Sequence, residues 1–132
     1  MGIWQRLSTT MILAVVCAAD PAHAESYEQF KSWCYDDASA KDKLAGCNAV
    51  IVANKESEEG MATAYYKRGN AYRDLGQDER AIEDFDQAIL LEPEYVSALH
   101  NRANIYDRMG QYERALVDYS RAINAWPEFG LV

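Results

Sequence analysis

The sequence predicts an all-α protein built from about three antiparallel helix pairs stacked in a row. The main observation is internal repetition: residues 62–95 and 96–129 align at a shift of 34 residues with 14 identical positions. A fixed period of this size is typical of helical repeat proteins. Small and apolar side chains recur inside each unit at helical spacing. With only 7 Gly and 3 Pro in 132 residues, the chain is poor in the turns that an all-β fold requires.

The charge balance excludes two classes of partner. The chain has 13 Lys and Arg against 21 Asp and Glu, which gives a net charge of −8. A nucleic-acid-binding protein needs a surplus of cations to neutralise phosphates, and an anionic membrane surface also attracts basic segments. We therefore expect neither nucleic acid nor an anionic membrane as a partner.

Residues 1–24 have the pattern of a signal peptide. Arg6 gives the start a positive charge, residues 11–19 (MILAVVCAA) form a short apolar run, and Ala22 and Ala24 flank His23 in the arrangement that signal peptidase cleaves. The run is shorter than the roughly 20 residues that a membrane-spanning helix needs. We expect export to the periplasm or secretion, with no integral membrane span. The alternative is a buried N-terminal helix.

Each repeat unit is predicted to be two helices joined by a turn. Gly76 and Gly110 stand where the first helix must stop, since Gly relieves the strain of a left-handed residue. The second helix of the first unit begins near Asp78, a good N-cap, and Pro93 and Pro127 follow the second helices of the two units. The second helix of the first unit carries its apolar residues on one stripe: Ala81, Ile82, Phe85, Ala88 and Ile89.

Both units resemble the tetratricopeptide repeat. That pattern has a large residue, a small residue and Tyr in the first helix, then Ala, an aromatic residue, Ala and Pro. The first unit has Tyr65, Gly69, Tyr72, Ala81, Phe85, Ala88 and Pro93, and the second has Leu99, Ala103, Tyr106, Ala115, Tyr119, Ala122 and Pro127. Arg68 and Arg102 depart from the pattern, because the family has Leu there. The resemblance implies a helical solenoid with repeats at residues 61–95 and 96–129 and a C-terminal tail at residues 130–132.

Residues 25–60 are predicted to form a diverged N-terminal hairpin. Ser26 and Gln29 fit a capping box, and the first helix would run to about Tyr35. A second helix would bury Val50, followed by a polar linker at residues 55–60. Because about three units are needed for a stable stack, we assign this segment as the third hairpin.

A disulfide is predicted between Cys34 and Cys47. Cleavage after residue 24 leaves these two cysteines, and an even number in an exported protein indicates a bridge. In the next hairpin, Gly69 and Ala81 lie where the two helices cross. Cys47 precedes Ala81 by one repeat length of 34 residues, and Cys34 lies within one residue of the position equivalent to Gly69. Helices that cross closely there suit the short Cα separation of a disulfide. The alternative is two buried free thiols.

The chemistry-bearing residues do not suggest an enzyme. The mature chain has one histidine, His100, and contains no Ser/His/Asp arrangement and no glycine-rich phosphate loop. Paired acids such as Asp84 and Asp86 are interpreted as solvated helix faces. We predict no catalytic residue, no metal site and no cofactor.

The resemblance implies a protein-interaction module. Stacked hairpins create a concave face, and tetratricopeptide proteins bind partner segments along its inner helices. The main hypothesis is therefore a non-catalytic scaffold of the cell envelope that binds a protein or peptide partner. Carried onto this sequence, the groove positions are Thr63, Tyr66, Asn70, Arg73, Asp74, Ser97, His100, Asn104, Asp107 and Arg108.

Two features of these positions lead to further expectations. The amides of Asn70 and Asn104 offer both a donor and an acceptor to a peptide backbone, but they could equally tie neighbouring helices together. The first repeat has Arg73 followed by Asp74, whereas the second has the reverse order, Asp107 followed by Arg108. If equivalent positions of the two repeats lie side by side, Arg73 should face Asp107 and Asp74 should face Arg108.

Two alternative functions stay open. The last hairpin has no following repeat to cover its apolar residues, so the chain could self-associate as a structural homodimer through this C-terminal edge. The chain could also be an accessory subunit of an envelope enzyme. The residues of the uncovered edge are Leu116, Tyr119, Ile123, Trp126, Phe129, Leu131 and Val132.

Overall fold

The computed structural model describes residues 21–126, which form six α-helices and no strand. The helices are α1 (Pro21–Tyr35), α2 (Ala40–Ala53), α3 (Glu58–Asp74), α4 (Asp78–Leu91), α5 (Val96–Arg108) and α6 (Tyr112–Ala125). Helix α1 packs on α2, α3 on α4 and α5 on α6, while α2 also contacts α3 and α4 contacts α5. The predicted all-α stack of three helical hairpins is confirmed.

The two chain ends carry predictions that the structure leaves aside. Residues 1–20 of the predicted signal peptide and the residues after Trp126 lie outside the described residues. Helix α1 begins at Pro21, so it starts before the predicted cleavage site and before the capping box expected at Ser26. Between residues 21 and 126, no helix is long and apolar enough to cross a membrane.

Serine caps begin two of the helices. The Ser39 side chain accepts a hydrogen bond from the backbone N–H of Asp42 at the start of α2, and Ser57 accepts one from Gly60 at the start of α3. Acidic residues Glu58 and Glu59 occupy the first turn of α3, where they complement the positive end of the helix dipole. Helix α3 therefore begins inside the segment predicted to be a polar linker.

The turns of the second and third hairpins depend on one glycine each. Gly76 and Gly110 both have φ of 73°, a backbone conformation that side chains with a Cβ rarely adopt. The next residue in each turn donates its N–H to a carbonyl in the last turn of the preceding helix: Gln77 to Tyr72 at 2.9 Å and Gln111 to Tyr106 at 2.8 Å. These bonds satisfy carbonyls that the helix end leaves open.

Asp78 does not cap α4 as predicted. It is the first residue of the helix, and Gln77 precedes it without a side-chain capping bond. The Asp78 carboxylate instead accepts hydrogen bonds from the Arg108 guanidinium on α5, at 2.8 and 2.9 Å. The carboxylate therefore links the second and third hairpins.

The main core lies between the second and third hairpins. Phe85 of α4 and Leu99 and Ile105 of α5 are fully buried. Gly69 allows the close crossing of α3 and α4 that the sequence predicts, because a Cβ added there would lie 2.8 Å from the Phe85 ring atom Cε1 and 3.3 Å from the Ala81 carbonyl oxygen.

The first hairpin has a smaller core of its own. A disulfide joins Cys34 and Cys47, with their Cα atoms 4.6 Å apart, and both residues are fully buried. Helix α2 approaches α1 closely at Gly46, where an added Cβ would lie 2.5 Å from the Phe30 carbonyl oxygen and 2.7 Å from the Cys34 nitrogen. Val50 completes the contact with α3.

A polar cluster holds the N-terminal part of α1 against the turn before α3. The Tyr27 hydroxyl donates to a Glu56 carboxylate oxygen at 2.8 Å, and Lys31 pairs with the same oxygen at 3.1 Å. Burial, followed by the bond to Glu56, raises the pKa of Tyr27 to about 12. The hydrogen bonds from Tyr27 and Lys31 lower the pKa of Glu56.

Each of the two clear repeats contains an arginine–aspartate pair in which the aspartate is buried and the arginine is half-buried. Arg68 of α3 donates to both carboxylate oxygens of Asp84 on α4, through Nε at 2.8 Å and Nη2 at 2.7 Å. Its third nitrogen, Nη1, donates to the Asn48 amide oxygen on α2 at 2.6 Å. Asp84 is only 3% exposed, so the interpretation of this acid as part of a solvated face is wrong.

The same arrangement recurs one repeat later. Arg102 of α5 donates to both oxygens of Asp118 on α6, each at 2.7 Å, and Nη1 donates to Asp86 on α4 at 2.5 Å. Burial lowers the pKa of Arg102, but the hydrogen bonds to Asp118 and Asp86 outweigh it and the net shift is upward. In each case one guanidinium bonds side chains on two other helices and so joins three helices.

Removal of the disulfide should destabilise the protein. We expect the double substitution of Cys34 and Cys47 by Ala to lower the free energy of unfolding by about 2–4 kcal/mol, because the unfolded chain loses a constraint. Urea titration followed by circular dichroism measures the loss, and the wild-type protein in reductant should match the variant. Protein without residues 1–24, and so without Cys17, should show no thiol alkylation before reduction; two alkylated thiols would contradict the bond.

Breaking one of these arginine–aspartate pairs should lower the free energy of unfolding by more than an exposed ion pair contributes. Asp84→Ala leaves the Arg68 charge without its buried partner, so we expect a loss of about 3–5 kcal/mol in unfolding free energy. Asp86→Ala is the matched control, because this half-exposed carboxylate should contribute only about 0–1 kcal/mol. Equal losses in the two variants, measured by urea titration, would contradict the assignment.

Candidate functional site

The ten predicted groove positions all lie on the two helices α3 and α5. We call the surface that they form the α3–α5 face. Thr63, Tyr66 and Asn70 on α3 are half-buried, whereas Ser97 on α5 is exposed. Contacts with neighbouring helices determine which of these side chains still have polar groups available to a partner.

Aromatic rings gather at the end of the face where α3 and α5 begin. The ring centroid of Tyr66 lies 5.0 Å from that of Tyr95 and 6.0 Å from that of Phe85. Burial raises the pKa of the Tyr95 hydroxyl, and a hydrogen bond with Thr63 works in the opposite direction. Tyr95 immediately precedes α5 and was not predicted as a site residue, although its position matches Phe129 at the end of the second repeat.

An amide pair links the two helices in the middle of the face. Asn101 Nδ2 donates to the Asn70 oxygen at 2.8 Å and lies 3.4 Å from the Tyr66 hydroxyl oxygen. Asn101 is not one of the predicted positions, because its role depends on α5 lying beside α3 rather than on the repeat pattern.

Asn104 makes a different contact from its counterpart in the first repeat. Its amide oxygen accepts a hydrogen bond from the Tyr119 hydroxyl on α6 at 2.5 Å. His100 and Tyr119 have ring centroids 5.7 Å apart, which repeats the Tyr66–Phe85 contact one unit later. Burial raises the pKa of Tyr119, and the charge of Asp107 adds to the shift.

The asparagine contacts favour one of the two interpretations made from the sequence. The amide oxygens of both Asn70 and Asn104 accept hydrogen bonds from neighbouring helices. These are the contacts expected if the asparagines tie helices together. A bound peptide backbone would find the amide oxygens already engaged.

The expected charge pairing between repeats is wrong. Arg73 does not face Asp107; it binds its neighbour Asp74 at 2.9 Å. Arg108 binds Asp78 at 2.8 Å rather than Asp74. The reason is that α5 packs directly on α4, so the first turn of α4 lies closer to the end of α5 than the end of α3 does.

A cavity of about 560 Å³ lies elsewhere, between α4, α5 and α6. Both arginines that line it already have partners within the protein: Arg102 binds Asp118, and the Arg114 guanidinium lies 5.6 Å from the centroid of the Tyr106 ring. The cavity is lined by Asp86, Arg102, Tyr106, Glu113, Arg114, Val117 and Asp118.

Metal-binding side chains are not grouped in the described part of the chain. Within residues 21–126, no three His, Cys, Asp or Glu side chains lie together in a way that could hold an ion. The two cysteines are joined to each other, and the buried carboxylates of Asp84 and Asp118 are bound by arginine.

Comparisons with known proteins agree with the architecture. Two family models match the chain, one described as a TPR repeat over residues 69–110 and one as a tetratricopeptide repeat over residues 96–129. The fold is similar to the crystal structure of MamA, with a TM-score of 0.52 and 19% sequence identity over 86% of this chain and 75% of that chain. This identity supports a shared fold alone. No curated protein matches the sequence significantly.

Proposed function

Because the chain belongs to the tetratricopeptide repeat family, we propose that it is a non-catalytic scaffold that binds a segment of a partner protein along the α3–α5 face. The repeats indicate a protein–protein interaction scaffold. The observation that carries the proposed location is the row of half-buried aromatic and polar side chains, Tyr66, Asn70, His100 and Asn104, along two adjacent helices.

These side chains suit recognition of a peptide. Half-buried Tyr rings present a flat apolar surface at little cost in side-chain entropy, which is why aromatic residues are common at interface centres. Hydrogen bonds to neighbouring helices fix Asn70 and Asn104 in place. A partner would therefore meet a preorganised surface, which lowers the entropy lost on binding.

We propose the cell envelope as the location. Residues 1–24 have the pattern of an export signal. A bridge between two fully buried cysteines fits an oxidising compartment such as the periplasm or the cell exterior.

Site-specific photocrosslinking in cells tests the binding face. A photoreactive residue at Thr63 or Ser97 should crosslink the same partner protein, because both positions lie on the α3–α5 face. The matched control is Glu83, an exposed position on α4, which should give no crosslink. Crosslinking at all three positions alike, or at Glu83 alone, would contradict the proposed face.

Self-association is a second candidate, favoured by the exposure of α6. Leu116 and Ile123 are 67% and 47% exposed. Their equivalents one repeat earlier, Ile82 and Ile89, pack in the core beneath α5. The outer surface of α6 therefore carries apolar side chains at positions where α4 is covered by the next hairpin.

The charges of this edge favour a second copy of the chain as its occupant. In α4, Asp78 and Asp86 bind arginines of the covering helix. In α6 the same repeat positions are Tyr112 and Ser120. The edge therefore lacks the carboxylates that would hold another arginine-bearing helix, and its exposed apolar side chains can pack against those of a second copy.

Sedimentation velocity over a concentration series tests this candidate. We expect a monomer–dimer equilibrium that Leu116→Glu with Ile123→Glu shifts to monomer, since each copy would bury a carboxylate. Leu90→Glu is the control, because Leu90 is 73% exposed on α4 and lies outside the α6 edge. A monomer at every concentration would exclude self-association.

A further inference from the structure

We propose that the partner segment bound on the α3–α5 face is basic and carries two Lys or Arg side chains about five or six residues apart in an extended conformation. This inference rests on the proposed function and adds the chemistry of the partner. It follows from the distribution of paired and unpaired charges around the face.

The cations of the face are bound within the protein. Arg73 forms an ion pair with Asp74 at 2.9 Å, and Arg108 forms one with Asp78 at 2.8 Å. An acidic segment would have to compete with these carboxylates for each guanidinium.

One end of the face joins aromatic rings to two carboxylates. Glu59 lies one helical turn before Thr63, whose hydroxyl donates to the Glu59 carbonyl oxygen at 3.0 Å. Glu92 lies in the turn before α5, where the Tyr95 N–H donates to its carbonyl oxygen at 3.0 Å. Both carboxylates are close enough to Tyr95 to raise the pKa of its hydroxyl. We call Glu59, Glu92, Tyr66 and Tyr95 the first acidic patch.

The other end of the face has an unpaired carboxylate near an aromatic ring. Asp107 lies in the last turn of α5, about one helical turn after Asn104, whose amide oxygen accepts a hydrogen bond from the Tyr119 hydroxyl. Burial raises the pKa of Tyr119, and the charge of Asp107 adds to the shift. We call Asp107 and Tyr119 the second acidic patch. Within residues 21–126, none of the three acids Glu59, Glu92 and Asp107 forms an ion pair with Lys or Arg.

Carboxylates next to aromatic rings are suited to cations. A Lys or Arg head group gains charge attraction from the carboxylate and a cation–π contact from the ring face, while its aliphatic part packs on the ring. The net charge of −8 also attracts a basic partner over a longer range.

The separation of the patches gives the spacing of the two basic residues. Tyr95 immediately precedes the first residue of α5, and Asp107 lies near the end of the helix. At 1.5 Å per residue, the helix between them is about 18 Å long. An extended chain advances about 3.3 Å per residue, so five or six residues cover roughly that distance.

Selection from a random dodecapeptide library displayed on phage tests the inference directly. Protein purified from cells is immobilised, and bound sequences are read after several rounds. We expect enrichment of Lys and Arg at two positions about five or six residues apart. Enrichment of acidic or uncharged sequences whose binding depends on Tyr66 would overturn the basic partner and leave the binding face intact. No enrichment would contradict the face itself.

Charge-neutralising variants locate the bound cations. Fluorescence anisotropy of one selected peptide should show affinity weakened between about twofold and tenfold by Glu59→Gln with Glu92→Gln, and again by Asp107→Asn. Glu83→Gln is the matched control, since it removes the same charge from an exposed site on α4. If Glu83→Gln weakens binding as much as the face variants, the basic peptide is held by overall charge and the inference is wrong.

Discussion

The arrangement of the hairpins depends on the half-buried arginine with which each clear repeat joins three helices. Arg68 bonds both oxygens of Asp84 on its own hairpin and the Asn48 amide on the preceding one. Because a guanidinium is planar and its donors form a rigid fork, these contacts define the angle between helices as well as their distance. The family pattern has Leu at this position, where packing alone would set the geometry. Here the charge of each buried aspartate must keep its arginine partner, since leaving one of the pair without the other is costly.

The arginine contacts and the α3–α5 face occupy different sides of α3. Tyr66 is two residues before Arg68, which is about 200° around the helix. The Tyr66 ring therefore points away from the guanidinium and meets Tyr95 and Phe85 instead. The second repeat has the equivalent contacts, with Arg102 bound to α4 and α6 and His100 against Tyr119 of α6. The contacts of Arg68 and Arg102 thus leave the α3–α5 face to aromatic and amide side chains.

The sequence predicted what repetition encodes and missed what depends on spatial neighbours. The hairpins, the glycine turns and the close crossing at Gly69 follow from local residue types at a fixed period. The Arg68–Asp84 bond was not predicted, although both residues recur at a shift of 34. An arginine and an aspartate on separate helices are interpreted as surface charges until the packing of the helices is known. The pairing of Arg108 with Asp78 was missed for a related reason: sequence equivalence paired the end of α5 with the end of α3, whereas α5 also packs on α4 and Arg108 binds the first residue of that helix.

The electrostatic character of the face follows from how the fold uses its cations. Acids outnumber basic residues by 21 to 13, and Arg68, Arg102 and Arg108 each bind carboxylates that tie one helix to another. Arginines bound in this way contribute little positive potential at the surface. The unpaired charges left beside Tyr95 and Tyr119 are therefore acidic. The same distribution of charge therefore stabilises the stack through arginine and leaves the α3–α5 face anionic. The chemistry of the proposed partner thus depends on the contacts that hold the hairpins together.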